Sequence, residues 1–279
     1  MNIDAHFHAW QIARGDYGWL TPELGPIYRD VSVGHWWEQA RRQAVEGGVL
    51  VQAAPTAAET DFLLGLADQH PQVLGVVGWV DLLAGDAPQQ IRARAAHPRL
   101  KGLRPMLQDL AATEWILQQG AHQALVTMAE CDLVFDALIQ PRHLPIMAEL
   151  VRRHPTLRVV IDHGAKPLMS ASPQAMQHWR SGLQQLAEQT QADRLMCKLS
   201  GLWTEAPSGH PCEHVRPWAQ TLLDIWGPER LIWGSDWPVL ELAGRYDQWR
   251  SWSLSWLEPL GDAHRQAVLG GNAQRMYRL

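Results

Sequence analysis

Short apolar segments alternate along the whole chain with longer amphipathic segments, and this alternation restricts the fold more than any other feature. The short segments are rich in β-branched residues and have the length of buried strands. Eight of them are predicted, over residues 2–10, 48–53, 73–81, 100–106, 133–139, 157–163, 194–200 and 230–236.

The segments between the strands carry apolar residues at spacings of three and four, which is typical of helices packed on one face. Three of them end in a His-Pro pair, and a proline there ends the helix and leads the chain into the next strand. The predicted helices are residues 36–45, 61–69, 88–96, 113–130, 142–153, 173–191, 214–226 and 246–257.

Eight strands alternating with helices over 279 residues predict an α/β protein with one closed (β/α)8 TIM barrel over residues 1–279. A doubly wound open sheet is the alternative. It would need a glycine-rich phosphate loop after the first strand, where this chain reads Asp4-Ala5-His6-Phe7-His8. The barrel is therefore favoured.

Composition excludes several classes of protein. With 24 basic and 29 acidic side chains and no basic run, nucleic acid is not expected as a partner. No apolar run approaches the roughly 18 residues of a membrane span, and the N-terminus lacks a signal core. Three cysteines are too few and too scattered for a disulfide framework. We expect a cytoplasmic protein; homo-oligomerisation stays open.

In a barrel of this kind the active site lies at the carboxyl ends of the strands, so polar residues there are the candidates. The first strand ends with His6 and His8, whose spacing of two puts both imidazoles on one face. Asp4 is expected on the same face. A lone histidine in such a strand is usually a core residue, but a pair is harder to explain structurally.

Three further candidates follow strands four and six. Arg104 ends strand four and would meet a ligand oxygen, or alternatively pair with a carboxylate such as Asp136. His163 ends strand six, and Lys166 lies in the loop just beyond. Asp162 directly precedes His163, so its side chain should point to the other face of the strand, and it is expected to brace the scaffold.

Asp236 ends strand eight, opposite three histidines, and is the natural general base. The structural alternative is a helix N-cap, but that role suits the neighbouring Ser235 better. Tryptophan is abundant, with 15 copies, and indoles form walls for ring-shaped ligands. We predict Trp10, Trp79 and Trp203 as substrate-binding walls, although packing is the alternative for each.

With these residues in place, the chain resembles the amidohydrolase superfamily, in particular the amidohydrolase-2 branch that holds sugar lactonases and pyrone dicarboxylate lactonase. The motifs run in order over nearly the whole chain. They are Asp4-Ala5-His6-Phe7-His8-Ala9-Trp10, Gly78-Trp79-Val80-Asp81, Lys101-Gly102-Leu103-Arg104, Asp162-His163-Gly164-Ala165-Lys166-Pro167, Lys198-Leu199-Ser200-Gly201-Leu202 and Gly234-Ser235-Asp236-Trp237-Pro238.

The chain also departs from the metal-dependent members of that superfamily. They bring a carboxylated lysine from strand four and a histidine from strand five, whereas here strand four ends in Arg104 and strand five has no histidine. A two-metal site is not expected, and no metal is expected to be required. A single zinc ion at His6, His8 and Asp236 stays open, because zinc accepts such ligands.

The resemblance implies a lactonase acting on a small sugar-acid lactone, of the fuconolactone or rhamnonolactone kind. Asp236 would activate water, while His6, His8, His163 and Arg104 would stabilise the carbonyl oxygen. Lys166 and the tryptophans would bind the sugar. The alternative is a zinc-dependent decarboxylase of the same branch, acting on an aromatic or unsaturated acid. A barrel that binds sugar acids without turnover is a third, less favoured hypothesis.

Overall fold

The computed structural model describes residues 1–170, 172–189 and 193–279 and confirms the predicted barrel. Its eight strands are parallel and lie side by side in chain order. Each observed strand overlaps a predicted one, β2 starting one residue before it, and each ends earlier than predicted because the chain turns into a loop where the polar residues begin. The strands are β1 (Ile3–Phe7), β2 (Gly47–Val51), β3 (Val73–Gly78), β4 (Leu100–Leu103), β5 (Val134–Ala137), β6 (Arg158–Ile161), β7 (Leu195–Leu199) and β8 (Leu231–Trp233).

The eight predicted helices surround the barrel with ends shifted by up to six residues, and three short helices, over residues 202–205, 261–266 and 272–277, were not predicted. The last two residues of the predicted helix 173–191 lie outside the described residues. The helices are α1 (Val33–Arg42), α2 (Ala57–Gln69), α3 (Ala87–Ala95), α4 (Gln119–Glu130), α5 (Leu144–Arg153), α6 (Pro173–Glu188), α7 (Leu202–Glu205), α8 (Arg216–Trp226), α9 (Tyr246–Leu257), α10 (Gly261–Gln266) and α11 (Asn272–Tyr277).

The barrel is completed by contacts between the segment after β8 and the end of β1. The backbone N–H of Asp236 donates to the carbonyl of His6 at 2.8 Å, and the N–H of His8 donates to the carbonyl of Trp237 at 2.8 Å. The same two hydrogen bonds therefore join the last strand to the first and hold three candidate site residues side by side.

The barrel interior is packed with apolar side chains below this level. Strands supply small and branched residues such as Ile3, Val49 and Val134, and α11 adds Met276 and Tyr277 from one end. Filling of this kind is usual for the fold. It leaves only the opposite end, where the strands finish, open for a ligand.

The predicted orientation of Asp4 is wrong. The pairing of β1 with β2 shifts register between Asp4 and Phe7, which breaks the strict alternation of side chains. The Asp4 carboxylate consequently lies outside the barrel, where it accepts hydrogen bonds from Trp36 of α1 at 2.8 Å and Tyr246 of α9 at 3.1 Å. His6 and His8 still face the inside.

The tryptophans of α9 lie on one side of that helix and stack on one another. The rings of Trp249 and Trp252 stack at 5.2 Å, and those of Trp252 and Trp256 at 5.7 Å. The three cysteines are free thiols, as expected from their spacing. Among the described residues no helix combines the length and the apolar character needed to cross a membrane.

Candidate active site

A cavity of about 340 Å³ opens at the carboxyl ends of the strands. This volume is at the small end of the range for ligand sites, so it suits a small molecule. Predicted site residues and loop residues share its wall, namely His8, Trp19, Leu24, Ala53, Arg104, Met106, Gln108, Asp109, Leu138, His163, Lys166, Thr204, Glu205, Asp236, Val239 and Leu242.

Asp236 lies at the centre of a cluster of three imidazoles. Its Oδ1 atom is 3.3 Å from Nε2 of His8, 3.5 Å from Nε2 of His6 and 3.8 Å from Nε2 of His163. The three rings come from the ends of β1 and β6, across the barrel from each other. The structure thus brings together all four residues predicted as catalytic.

Hydrogen bonds on the far side of each ring fix how the imidazoles face Asp236. The Nδ1 atom of His8 is 2.8 Å from the carbonyl of Val51, which can only accept, so Nδ1 carries a proton. The Nδ1 atom of His163 is 2.9 Å from the Ser200 hydroxyl. Both rings therefore turn Nε2 towards the carboxylate.

His6 is fully buried beneath the other two rings and is held by a residue that the sequence did not single out. Lys198, near the carboxyl end of β7, places its Nζ atom 3.1 Å from Nδ1 of His6. The same ammonium is 2.5 Å from Asp136 and 3.0 Å from Asp162. A lysine inside an otherwise apolar strand was the available signal, because a buried charge needs partners.

The protonation states of this cluster differ from those of the free side chains. Burial alone would raise the pKa of Asp236, but His163, His8 and His6 outweigh it and hold that pKa well below its ordinary value. Burial lowers the pKa of His163 to about 4, although Asp236 and Asp162 oppose the shift. Burial, helped by Lys198, also lowers the pKa of His6. At neutral pH the cluster is a carboxylate facing the neutral rings of His6 and His163.

The backbone at this site adopts a conformation that is costly for residues with a Cβ. Left-handed φ angles occur at His163 (52°), Ala165 (60°), Lys166 (49°) and Asp236 (59°). Each such residue costs on the order of 1–3 kcal/mol, and they concentrate at functional sites. Hydrogen bonds around the strand ends hold the backbone of Asp236 and His163 in this left-handed conformation.

Arg104 lines the cavity from the end of β4, as predicted. One guanidinium nitrogen donates to the carbonyl of Gln52, and Nη1 is 3.5 Å from Asp162. The carboxylate beside it is thus Asp162 rather than the proposed alternative, Asp136. The Nε atom of Arg104 is buried and has no hydrogen-bond partner among the described residues.

Lys166 also lines the cavity, and its Nζ atom is 2.9 Å from the carboxylate of Glu205. Both groups keep exposed surface within the cavity, so the pair offers a donor and an acceptor to one ligand. Glu205 was not predicted, because α7 is too short to show a periodic signal.

The three predicted tryptophan walls do not line this cavity. Trp10 is fully buried behind His8, with ring centres 6.2 Å apart. The backbone of Trp79 is bonded to the hydroxyl of Thr60 on α2, and Trp203 is buried with its indole N–H on the carbonyl of His210. The tryptophan on the wall is Trp19, whose indole N–H donates to the carbonyl of Ala53 at 2.7 Å.

The cluster fits a single divalent cation by the type and spacing of its donor atoms. His6, His163 and Asp236 each offer one ligand atom, and these atoms lie within 4.8 Å of one another. Imidazole nitrogen and carboxylate oxygen are ordinary zinc ligands. The set differs from the predicted one in that His163 takes the place of His8.

Comparison with known proteins gives a consistent result. A family model described as Amidohydrolase matches residues 3–279. An L-fucono-1,5-lactonase of Burkholderia ambifaria is 43% identical over 282 residues, covering 99% of this chain and 95% of the relative. An L-fucono-1,5-lactonase of Burkholderia multivorans is 34% identical, covering 100% of this chain and 96% of the relative.

Solved structures agree with the sequence comparison. An amidohydrolase from Burkholderia multivorans with bound HEPES superposes with a TM-score of 0.94 at 34% identity, over 100% of this chain and 99% of the other. A second crystal form of an amidohydrolase from that species, with bound zinc, gives 0.92 at the same identity and coverage.

Proposed function

The chain belongs to the amidohydrolase family and is a hydrolase, and on that premise we propose that it opens the ring of a sugar-acid lactone of the L-fucono-1,5-lactone type. Both Burkholderia relatives carry that activity in their names and match this chain over almost its full length. The hydrolase relatives also weigh against the decarboxylase alternative.

The observation that carries the proposal is the position of Asp236. A buried, ionised carboxylate stands at the floor of a small cavity with three imidazole nitrogens within 3.3–3.8 Å of one oxygen. Such a group can take a proton from a water molecule, and the surrounding N–H groups can bind an oxygen that gains charge.

Hydrolysis would proceed by addition and elimination. Asp236 takes a proton from water as the water oxygen forms a bond to the lactone carbonyl carbon, and the carbonyl electron pair moves to its oxygen. The carbonyl then re-forms, the bond to the ring oxygen breaks, and the proton on Asp236 passes to that oxygen. The product is the open-chain hydroxy acid, and Asp236 is again a carboxylate.

The negative charge that develops on the carbonyl oxygen needs donors that are already in place. His163 and Arg104 line the cavity from the ends of β6 and β4, and both carry N–H groups. Preorganised donors in a dry site typically contribute more to rate than any other single effect. A strained ester with a tethered leaving group needs little more than this.

The cavity wall suits a neutral hydroxylated ring. Trp19 and Leu138 give it apolar surface, while Lys166, Glu205 and Gln108 can bond hydroxyl groups. Arg104 is the only arginine among the described lining residues, and its guanidinium already contacts Gln52 and Asp162. A substrate with two carboxylates would call for more cationic groups than the wall provides.

A divalent ion, when bound, would be held by His6, His163 and Asp236 and would polarise the carbonyl as a Lewis acid. The roles of the remaining residues do not depend on it. Arg104 and Lys166 would still orient the substrate, and Trp19 and Leu138 would still pack against its ring.

The experiment is a pH-indicator hydrolysis screen over aldonolactones, including L-fucono-1,5-lactone and an L-rhamnonolactone, with a pyrone dicarboxylate lactone for comparison. It is run on metal-stripped protein and again with added zinc. Acid release from a neutral sugar lactone in either arm supports the proposal, and the two arms together measure the contribution of metal. Release from none of the sugar lactones in both arms would refute it.

A further inference from the structure

An ion pair between Lys166 and Glu205 lies on the wall of the cavity. Nζ of Lys166 is 2.9 Å from a carboxylate oxygen of Glu205, and the two side chains keep 25% and 19% of their surface exposed. An ammonium has three donors and a carboxylate has about four acceptor positions, so this one contact leaves bonding capacity on both groups. The pair can therefore bond a ligand while its two charges stay together.

Both residues lie close along the chain to the imidazole cluster. The backbone N–H of Lys166 donates to the carbonyl of His163 at 2.9 Å. Glu205 ends α7, four residues after Gly201, and an added Cβ on Gly201 would lie 3.1 Å from an oxygen of Asp236. One helical turn advances the chain by about 5.4 Å. When the carbonyl of a lactone lies at Asp236, the ion pair is therefore about one turn away, beside the other end of the molecule.

Hydrogen bonds and packing hold α7, and with it Glu205, in place. The hydroxyl of Thr204 donates to the carbonyl of Gly201 at 2.8 Å, and the indole N–H of Trp203 donates to the carbonyl of His210 at 2.9 Å. The Trp203 ring also packs against Gly244 so closely that a Cβ there would not fit. A carboxylate that is already fixed in position can act on a ligand without first being ordered.

The charges of the wall leave each cation beside a carboxylate. Arg104 and Lys166 are the only arginine and lysine among the lining residues within the described parts of the chain. Arg104 is 3.5 Å from Asp162, and Lys166 is paired with Glu205. An anionic group of a ligand would thus meet a negative charge next to either cation.

Hydroxyl and carboxylate groups of a ligand would interact differently with this pair. A hydroxyl can donate to Glu205 and accept from Lys166, so it satisfies both partners. A carboxylate can only accept, so it would bond Lys166 and lie against the like charge of Glu205. The geometry therefore favours a neutral, hydroxylated group at this place.

We propose that Glu205 is a specificity-determining residue that restricts the cavity to lactones without a carboxylate at the end away from the reacting carbonyl. Paired with Lys166, it accepts hydrogen bonds from hydroxyl groups at that end and repels an anionic group in the same place. Repulsion of the wrong ligand contributes to specificity as much as attraction of the right one does. The inference rests on the proposed function, which supplies the lactone and the position of its carbonyl.

The test compares two lactones that differ only at that end. They are L-galactono-1,4-lactone and L-galactaro-1,4-lactone, in which a carboxylate replaces the terminal CH2OH group. The measured quantity is the ratio of kcat/KM for the anionic lactone to kcat/KM for the neutral one. The wild type should favour the neutral lactone. Glu205→Gln should raise the ratio at least about tenfold, because the repulsion is gone while Lys166 remains.

Two control variants separate the ion pair from the overall charge of the wall. Asp109→Asn removes the same charge from the same wall but leaves Lys166 paired, so the ratio should change less than about threefold. Combining Glu205→Gln with Lys166→Met removes both charges, and the ratio should fall back towards the wild-type value. Equal rises in Asp109→Asn and Glu205→Gln would show a general effect of wall charge and overturn the proposal. An unchanged ratio in Glu205→Gln would also overturn it, even where lactone hydrolysis is confirmed.

Calorimetry tests the inference separately from the proposed function. If the wild type hydrolyses neither lactone, both compounds are titrated into the wild type and into Glu205→Gln, and the ratio of their Kd values replaces the kinetic ratio. A shift towards the anionic lactone in Glu205→Gln would support the role of Glu205 although the lactonase proposal fails. An unchanged ratio, or no binding of either compound, would overturn it.

Discussion

Asp236 is buried yet ionised, and its neighbours explain how both can hold. Taking a carboxylate out of water raises its pKa, but three imidazoles around one oxygen more than compensate. The same backbone that carries Asp236 also pairs with β1 through the carbonyl of His6. Position and charge state of this residue are therefore fixed together.

Replacing Asp236 by asparagine should lower kcat by about 10²–10⁴ while the protein stays folded, because the amide keeps the shape but cannot take a proton. Steady-state hydrolysis of the lactone found in the screen measures this. Asp81→Asn is the matched control, since Asp81 follows the end of β3 but lies off the cavity wall. Near-normal turnover by Asp236→Asn would remove Asp236 from the mechanism.

Gly201, two residues after the end of β7, permits the close approach of His163. Its φ angle is +61°, and an added Cβ would come within 2.6 Å of Cγ of the His163 ring and 3.1 Å of an Asp236 oxygen. Gly201→Ala should lose about 1–2 kcal/mol of unfolding free energy from the left-handed backbone and, in addition, most of its activity.

Gly209 allows the two effects of that substitution to be separated. Its φ angle is +79°, but no atom lies within 4 Å of the position that an added Cβ would occupy. Gly209→Ala should show a comparable loss in chemical denaturation and normal turnover. If both alanine variants keep full activity, contact with Gly201 is not what positions His163.

The sequence predicted some residues of the candidate site and missed others, for a physical reason. His6, His8, His163 and Asp236 follow from their place at strand ends, which the barrel fold brings together. Lys198 could not be assigned in the same way, because its role depends on carboxylates from two other strands. Contacts across a barrel depend on register and rotamer, neither of which shows in a local pattern.

At the scale of elements, the segment between β1 and α1 is tied to the start of α2 by one buried carboxyl group. Glu59 of α2 accepts from the hydroxyl of Tyr17 at 2.8 Å and from the backbone N–H of Ala53 at 3.2 Å. Arg14 is 3.5 Å away. The same segment carries Trp19, which lines the cavity.

Burial raises the pKa of Glu59 to about 7, although its hydrogen bonds and Arg14 oppose the shift. The unfolded chain therefore releases this proton near pH 4.5 and the folded one only near pH 7. Between these values the folded state binds more protons, so this group's contribution to stability is present below pH 4.5 and is lost as pH rises to 7.

Glu59→Gln should remove that loss, because glutamine resembles the protonated acid. The difference in free energy of unfolding between Glu59→Gln and the wild type should therefore rise by about 2–3 kcal/mol from pH 5 to pH 8, in favour of the variant. Urea denaturation at the two pH values measures the difference. Glu23→Gln, an exposed site in the same segment, should show no such rise, and a flat difference for Glu59→Gln would contradict the assignment.

Strand and helix positions were predicted well because hydrophobic period and proline placement are local signals. The orientation of Asp4 was not, since a register shift between β1 and β2 reverses the side chains after it. The tryptophan walls failed for a related reason. A tryptophan can pack in the core or contact a ligand, and its sequence position does not tell which. The structure buries both Trp10 and Trp203 in the core.

In the whole molecule, the residues that pack the barrel interior and the residues of the candidate active site lie towards opposite ends of the barrel axis. At one end α11 packs Ala273, Met276 and Tyr277 into the interior, and Asn272 donates to the carbonyls of Pro228 and Leu231. At the other end lie the cavity and the strained backbone of the site. Barrels of this fold generally place function at the carboxyl ends of the strands and stability at the other.

Met276→Ala should therefore lower the free energy of unfolding by about 2–5 kcal/mol, the usual cost of a cavity in a packed core, and leave kcat unchanged. Urea denaturation and lactone kinetics on the same preparation measure the two quantities. Arg275→Ala, on the exposed side of the same helix, should cost less than about 1 kcal/mol. A fall in kcat for folded Met276→Ala would mean that packing at the closed end reaches the imidazole cluster. The connection would then run through Tyr277, Asp136 and Lys198 to His6.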